Sequence, residues 1–153
     1  MWPFKQKLDD FGRSELHYAA ADADLARAER LVRRGADVDM ADKNGWTPLH
    51  FAAQSQSPKI ATLILDEGAR IDPEDAHGNT PLSKAVFECK GIGDTIELLR
   101  ARGADPHSVN RHGQTPVGLA RLIGNFNVAQ FFTDLPPSEP NQSPQPTAVN
   151  RRG

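Results

Sequence analysis

The ten residues NGWTPLHFAA, 44–53, decide the fold. A turn glycine, Gly45, is followed by Trp46 and then by Thr47-Pro48. Thr is a good N-cap, because its hydroxyl accepts from an unpaired N–H of the first turn. Pro at the first helical position has no N–H to waste. The apolar run behind them, Leu49, Phe51, Ala52 and Ala53, supports only about two turns of helix. A helix that short is not stable alone and must be covered by something else.

The chain repeats this stretch. DDFGRSELHYAA (9–20), DKNGWTPLHFAA (42–53), DAHGNTPLSKAV (75–86) and NRHGQTPVGLAR (110–121) align, with Gly12, Gly45, Gly78 and Gly113 spaced 33, 33 and 35 apart. A second series, RGADVD, EGARID and RGADPH, puts Gly35, Gly68 and Gly103 at the same spacings of 33 and 35. Two independent markers therefore share one period and one two-residue insertion. In the second unit Ser57-Pro58 begins another helix, running through Ile60, Ala61, Leu63, Ile64 and Leu65 to a left-handed stop at Gly68. Each unit is a helix, a turn, a second helix and an extended loop, and must stack on its copies to bury its apolar sides.

At these residues the chain resembles the ankyrin repeat, through the T-P-L-H and G-A-D signatures in DKNGWTPLHFAA…GARID. The resemblance covers about 9–134 and implies an all-α ankyrin-repeat solenoid with short β-hairpin-like loops. Four units are expected at about 9–41, 42–74, 75–109 and 110–135, after an N-terminal extension, 1–8. The segment 136–153 is rich in proline and poor in large apolar residues, a composition that predicts a disordered tail.

The terminal units depart from the pattern. Where later units carry Leu63 and Leu98, the first has Arg30, and where they carry Ile60 and Thr95 it has Arg27. A charged outer side suits a first unit with no preceding neighbour. Arg121 replaces the second alanine of the last unit, consistent with a polar outer face there. Arg100 stands where Val32 and Leu65 are apolar, and nothing in the sequence accounts for it.

Bulk composition narrows the function. The net charge of −2 gives no general attraction to nucleic acid or to a membrane surface. No run reaches the roughly 18–20 apolar residues of a membrane span, and the opening MWPFKQKLDD lacks a signal-peptide core. A cytoplasmic location is expected. Cys89, the single cysteine, allows no intrachain disulfide.

Catalytic constellations are missing from the sequence: there is no nucleophile elbow, no H-E-x-x-H and no phosphate-cradling glycine loop. No enzyme activity, cofactor or metal is expected. His77 and His112 share a turn position on successive units but lack a carboxylate or thiol at ligand spacing. His17 and His50 fill the fourth place of T-P-L-H, where the resemblance implies a local structural bond.

The resemblance also implies a concave partner-binding face, lined by residues around the turn glycine and after the first helix. Carried over, these are Phe11, Arg13, Lys43, Asn44, Trp46, Gln54, His77, Asn79, Phe87, Arg111, His112 and Gln114. Phe11, Trp46 and Phe87 are expected to form an aromatic cluster, since interface anchors are drawn from aromatic and Arg residues. Asp39, Asp42, Asp72 and Asp75 are expected to give an acidic hairpin rim that favours a basic partner and repels nucleic acid. The expected function is non-catalytic binding of a partner protein by a chain that is monomeric when unbound. Bacterial immunity proteins that neutralise a cognate toxin are one known free-standing ankyrin type. The alternative is an adaptor that recruits a cellular protein, partly through the tail.

Overall fold

The computed structural model describes residues 6–137; residues 1–5 and 138–153, which include most of the expected tail, lie outside them. Seven α-helices and one 3-10 helix follow in order: α1 Glu15–Ala21, α2 Leu25–Arg33, α3 Pro48–Gln54, α4 Pro58–Asp66, α5 Pro81–Phe87, α6 Asp94–Ala101, α7 Pro116–Leu122 and the 3-10 helix Val128–Phe132. No strand occurs among the described residues. The inner helices α1, α3, α5 and α7 stack in one row, and α2, α4 and α6 stack in a second.

Small residues set the spacing of the inner row. Ala19, Ala20, Ala52, Ala53, Ala85 and Ala120 are fully buried and bring the helix backbones close. Leu16, Leu49, Leu82 and Val117 fill one column of the core, and Ile60, Ile64, Ile96 and Leu99 fill the outer layer. Arg30 is exposed and Arg27 half-buried, whereas Ile60 and Thr95 are buried, so the charged side of the first unit faces solvent.

Consecutive units are joined at their turns. Lys43 N–H donates to Phe11 C=O, Ala76 N–H to Asn44 C=O, and Arg111 N–H to His77 C=O, each at 2.9 Å. That approach leaves no room beside the second turn glycine. Gly45 has φ +79, and a Cβ there would lie 3.0 Å from Asp75 Cα. A further bond comes from the T-P-L-H histidines. His50 Nδ1 accepts from Thr47 N–H at 3.1 Å, which leaves the proton on Nε2 to donate to Asn79 C=O of the next unit at 2.9 Å. His17 does the same with Ser14 N–H and Trp46 C=O. Burial lowers the pKa of His17 and pushes that of His50 down to about 4, because charging an enclosed imidazole costs its hydration.

The last unit differs. In place of a second α-helix it has the 3-10 helix, and Arg100 holds it. The guanidinium meets Asp134 through two bonds of 2.7 Å, donates to Phe131 C=O at 2.7 Å, and lies over the Phe132 ring. Arg100 is thus the anchor of the C-terminal end, which is why it breaks the apolar column. Arg121 adds bonds to Leu135 C=O and Pro136 C=O, so it ties down chain instead of facing open solvent.

Two predictions follow from the unit junctions. The unfolded His50 titrates near 6.5 and the folded one near 4. The stability it contributes is therefore complete above pH 6.5 and lost as pH falls toward 4. Between pH 7.5 and 5.5 this one residue should cost about 1.3 kcal/mol, and urea melts of wild type against His50→Ser should show the slope shrinking in the variant. Gly35, at φ +88 with nothing within 4 Å of a built Cβ, isolates the second effect. Gly35→Ala should cost about 1 kcal/mol for the left-handed backbone alone. Gly45→Ala should cost at least about 2 kcal/mol, because a clash is added.

Candidate functional site: an aromatic and cationic stripe

Each turn opens on a carboxylate or amide that folds back onto its own backbone. Asp42 Oδ1 accepts from Asn44 N–H and Trp46 N–H, both at 2.9 Å. Asp75 Oδ1 accepts from His77 and Asn79 N–H, Asn110 Oδ1 from His112 and Gln114 N–H, and Asp9 Oδ1 from Phe11 and Arg13 N–H. The second oxygens of Asp42 and Asp75 need cations, since both side chains are fully buried. Arg13 Nε reaches Asp42 at 3.1 Å and Lys84 Nζ reaches Asp75 at 3.0 Å. Burial opposes ionisation of Asp75, yet the bonds from Asn79 N–H, Lys84 and His77 N–H together lower its pKa.

The expected acidic rim is therefore corrected. Asp42 and Asp75 are buried and neutralised. Asp39 accepts Arg70 N–H at 2.9 Å, and Asp72 accepts Asp105 N–H at 3.1 Å. Each of these carboxylates accepts turn backbone N–H; Asp42 and Asp75 thereby leave the expected rim, whereas Asp39 and Asp72 stay half-exposed. Burial comes first in raising the Asp72 pKa, with the Asp105 charge adding to it.

The two cations lie between rings. Arg13 stacks 5.0 Å from the Phe11 ring and 5.2 Å from the Phe51 ring, and Lys84 Nζ stands 4.3 Å over Trp46. Trp46 in turn packs on Phe51 at 4.8 Å. A continuous stripe, Phe11–Arg13–Phe51–Trp46–Lys84, thus crosses the first three units. Trp46 is half-buried between the Phe51 ring and the Lys84 ammonium, contacts that its large ring supplies at the lip of this loop; its backbone carbonyl takes the His17 bond, as that of Asn79 takes the His50 bond.

The expected cluster of Phe11, Trp46 and Phe87 does not form. Among the described residues no ring contact joins Trp46 to Phe11 or Phe87. Phe11 reaches the stripe through Arg13, and Phe87 is exposed at the end of α5. Lys43, Asn44, Gln54, Arg111 and Gln114 are exposed, and Asn79 is half-buried with its side-chain oxygen taking the Asn110 amide. His77 and His112, also exposed, stack with ring centroids 6.1 Å apart. Among the described residues no group of three or more His, Cys, Asp and Glu could hold a metal ion. The Cys89 thiol is buried and lies 3.6 Å from Ile92 C=O.

The sequence reading missed Lys84 and Phe51 as members of the stripe, and Tyr18, whose ring lies 6.0 Å from the Arg13 guanidinium. They occupy the position after the T-P-L-H histidine, which reads Tyr18, Phe51, Lys84 and Leu119. A lysine in an otherwise apolar column was the available signal.

Short paired helices in two stacked rows, with turns projecting on one side, define a helical-repeat scaffold. A family model described as ankyrin repeats (3 copies) matches residues 16–110, and the chain belongs to the ankyrin repeat family. No curated protein matches it. Ankyrin repeats are protein–protein interaction modules and are generally non-catalytic. No described helix is long and apolar enough to cross a membrane.

The fourth unit supplies the control for the Lys84 pair, since it carries Asn110 at the turn and no cation. Lys84→Met should cost about 2–3 kcal/mol at pH 7 by leaving Asp75 buried and unpaired. Adding Asp75→Asn should recover most of that, because an amide oxygen accepts the same two N–H groups. Thermal melts of the single and double variants check both.

Proposed function

We propose that the stripe is the partner-binding surface and that the protein acts by occluding, or by recruiting, another protein. What supports this is the preorganised set of rings and cations running from Phe11 to Lys84. Each cation is locked by a buried carboxylate and by a ring face, so little side-chain entropy remains to be lost on binding. Stacked aromatics and Arg held this way are the usual anchors of interface affinity. The stripe is charge-neutral as a unit, since Arg13 and Lys84 each meet one carboxylate. Affinity then derives from apolar contact and directed hydrogen bonds. The carried-over residues at the turn tips, Lys43, Asn44, His77, Arg111 and His112, would form its polar border.

Inhibition by occlusion, as in a toxin-neutralising immunity protein, needs only this surface. Recruitment as an adaptor would need a second contact, for which the proline-rich 138–153 is the candidate.

Affinity capture from the source cell's lysate, followed by titration of the captured protein, tests the reading. Trp46→Ala with Arg13→Ala should weaken the complex at least tenfold, while Arg33→Ala on the outer row should leave it unchanged. Equal binding by all three proteins, with circular dichroism unaltered, would sink the assignment. Removing 138–153 should preserve binding in the inhibitor case and abolish bridging in the adaptor case.

A further inference from the structure

The insertion of the third unit separates two features. Glu88, Lys90, Ile92 and Asp94, alternate residues along it, line a cleft of about 370 Å³ together with Gln54 and Gln56 of the second unit. The residues between them do not line it. Cys89 is buried, with its thiol 3.6 Å from Ile92 C=O. A Cβ on Gly91 would lie 3.7 Å from the Phe126 Cβ, and one on Gly93 would collide with the Phe131 ring. The insertion is therefore a partition, with the cleft on one side and the C-terminal segment on the other. Gly93 has an ordinary φ of −95, and as N-cap of α6 it offers no side-chain bond, unlike Ser57 on α4. The Phe131 ring is what requires a glycine there.

The segment seated on this partition closes over a strained turn. Phe126 and Asn127 both have left-handed backbone, φ +65 and +45, which is unfavourable for residues other than glycine and more so for Phe than for Asn. Burial does not offset this at Phe126, which is 55% exposed. Val128 and Phe132 are buried, and the Arg100 fork on Asp134 and Phe131 C=O holds the segment to α6. That fork reaches solvent, since the Asp134 side chain is 63% exposed. Backbone strain held by exposed polar bonds describes an element that opens locally before the stacked helices do.

We infer that residues 124–135 are a latch on the cleft. Closed, the segment fixes the insertion through Phe126 and Phe131. Open, it frees the cleft wall that carries Lys90 and Ile92. The insertion is the shared element, so filling the cleft shifts the latch and moving the latch reshapes the cleft. This does not depend on the stripe reading.

The test uses reporters native to the full chain. The Cys89 thiol reads the partition through its reaction with N-ethylmaleimide. The Gln130 and Leu135 amides, bonded to Asn127 C=O and Phe132 C=O, read the latch through hydrogen exchange. Asp134→Asn removes the ion pair at an exposed position with little change in size. It should speed the thiol reaction and both amides at least fivefold, and leave the Ala61 amide of α4 at its wild-type rate. Asn127→Ala, which raises the turn strain and leaves the ion pair intact, should speed the same reporters at least twofold. Faster amides with an unmoved Cys89 would break the link between latch and partition. Equal acceleration at Ala61 would mean unfolding of the whole stack in place of a latch. Reporters that ignore both substitutions would remove the catch and the strain together. Any of these three results overturns the inference.

Discussion

One interaction recurs at every turn, and the remaining geometry hangs on it: a single side-chain oxygen accepting two backbone N–H groups from the residues two and four further on. Asp9, Asp42, Asp75 and Asn110 all do this. The turn so fixed presents its next N–H to the preceding unit, and the 2.9 Å ladder of Lys43, Ala76 and Arg111 follows. Each short helix is too weak to persist by itself, so its stability is borrowed from this register.

Enclosing a carboxylate in that role has a consequence for the surface. A buried, ionised Asp must find a cation, because leaving its charge unpaired away from water is costly. Arg13 and Lys84 supply it from different places, one from the preceding unit and one from the helix of the same unit. Their heads are held where rings can pack on them, so a structural requirement of the turns produces an ordered aromatic surface. The fourth unit, with an amide at that position, needs no cation, and the stripe stops before it.

The C-terminal end solves a different problem. A final repeat without a following neighbour would expose its outer layer. The 3-10 helix packs on α7, buries Val128 and Phe132, and is pinned to α6 by Arg100 through Asp134, Phe131 C=O and the Phe132 ring. An arginine is suited to this because its planar fork meets the carboxylate and a carbonyl at once.

The period, the helix starts and the family resemblance were all legible in the sequence. They depend on local chemistry: Thr-Pro at a helix start, Gly at a left-handed stop, and small apolar residues at fixed spacing. The charged side of the first unit was legible for the same reason. Side-chain direction at the site was not. Asp42 and Asp75 read as an acidic rim because a sequence shows charge and not orientation. Their inward turn is decided by N–H groups within four residues and by cations such as Arg13, 29 residues away. The separation of Phe87 from Trp46 and the role of Arg100, whose partner lies 34 residues on, were decided in the same way. Local spacing sets which elements form, whereas the direction of a side chain is chosen by whatever the stacked neighbour places against it, and only the tertiary structure contains that neighbour.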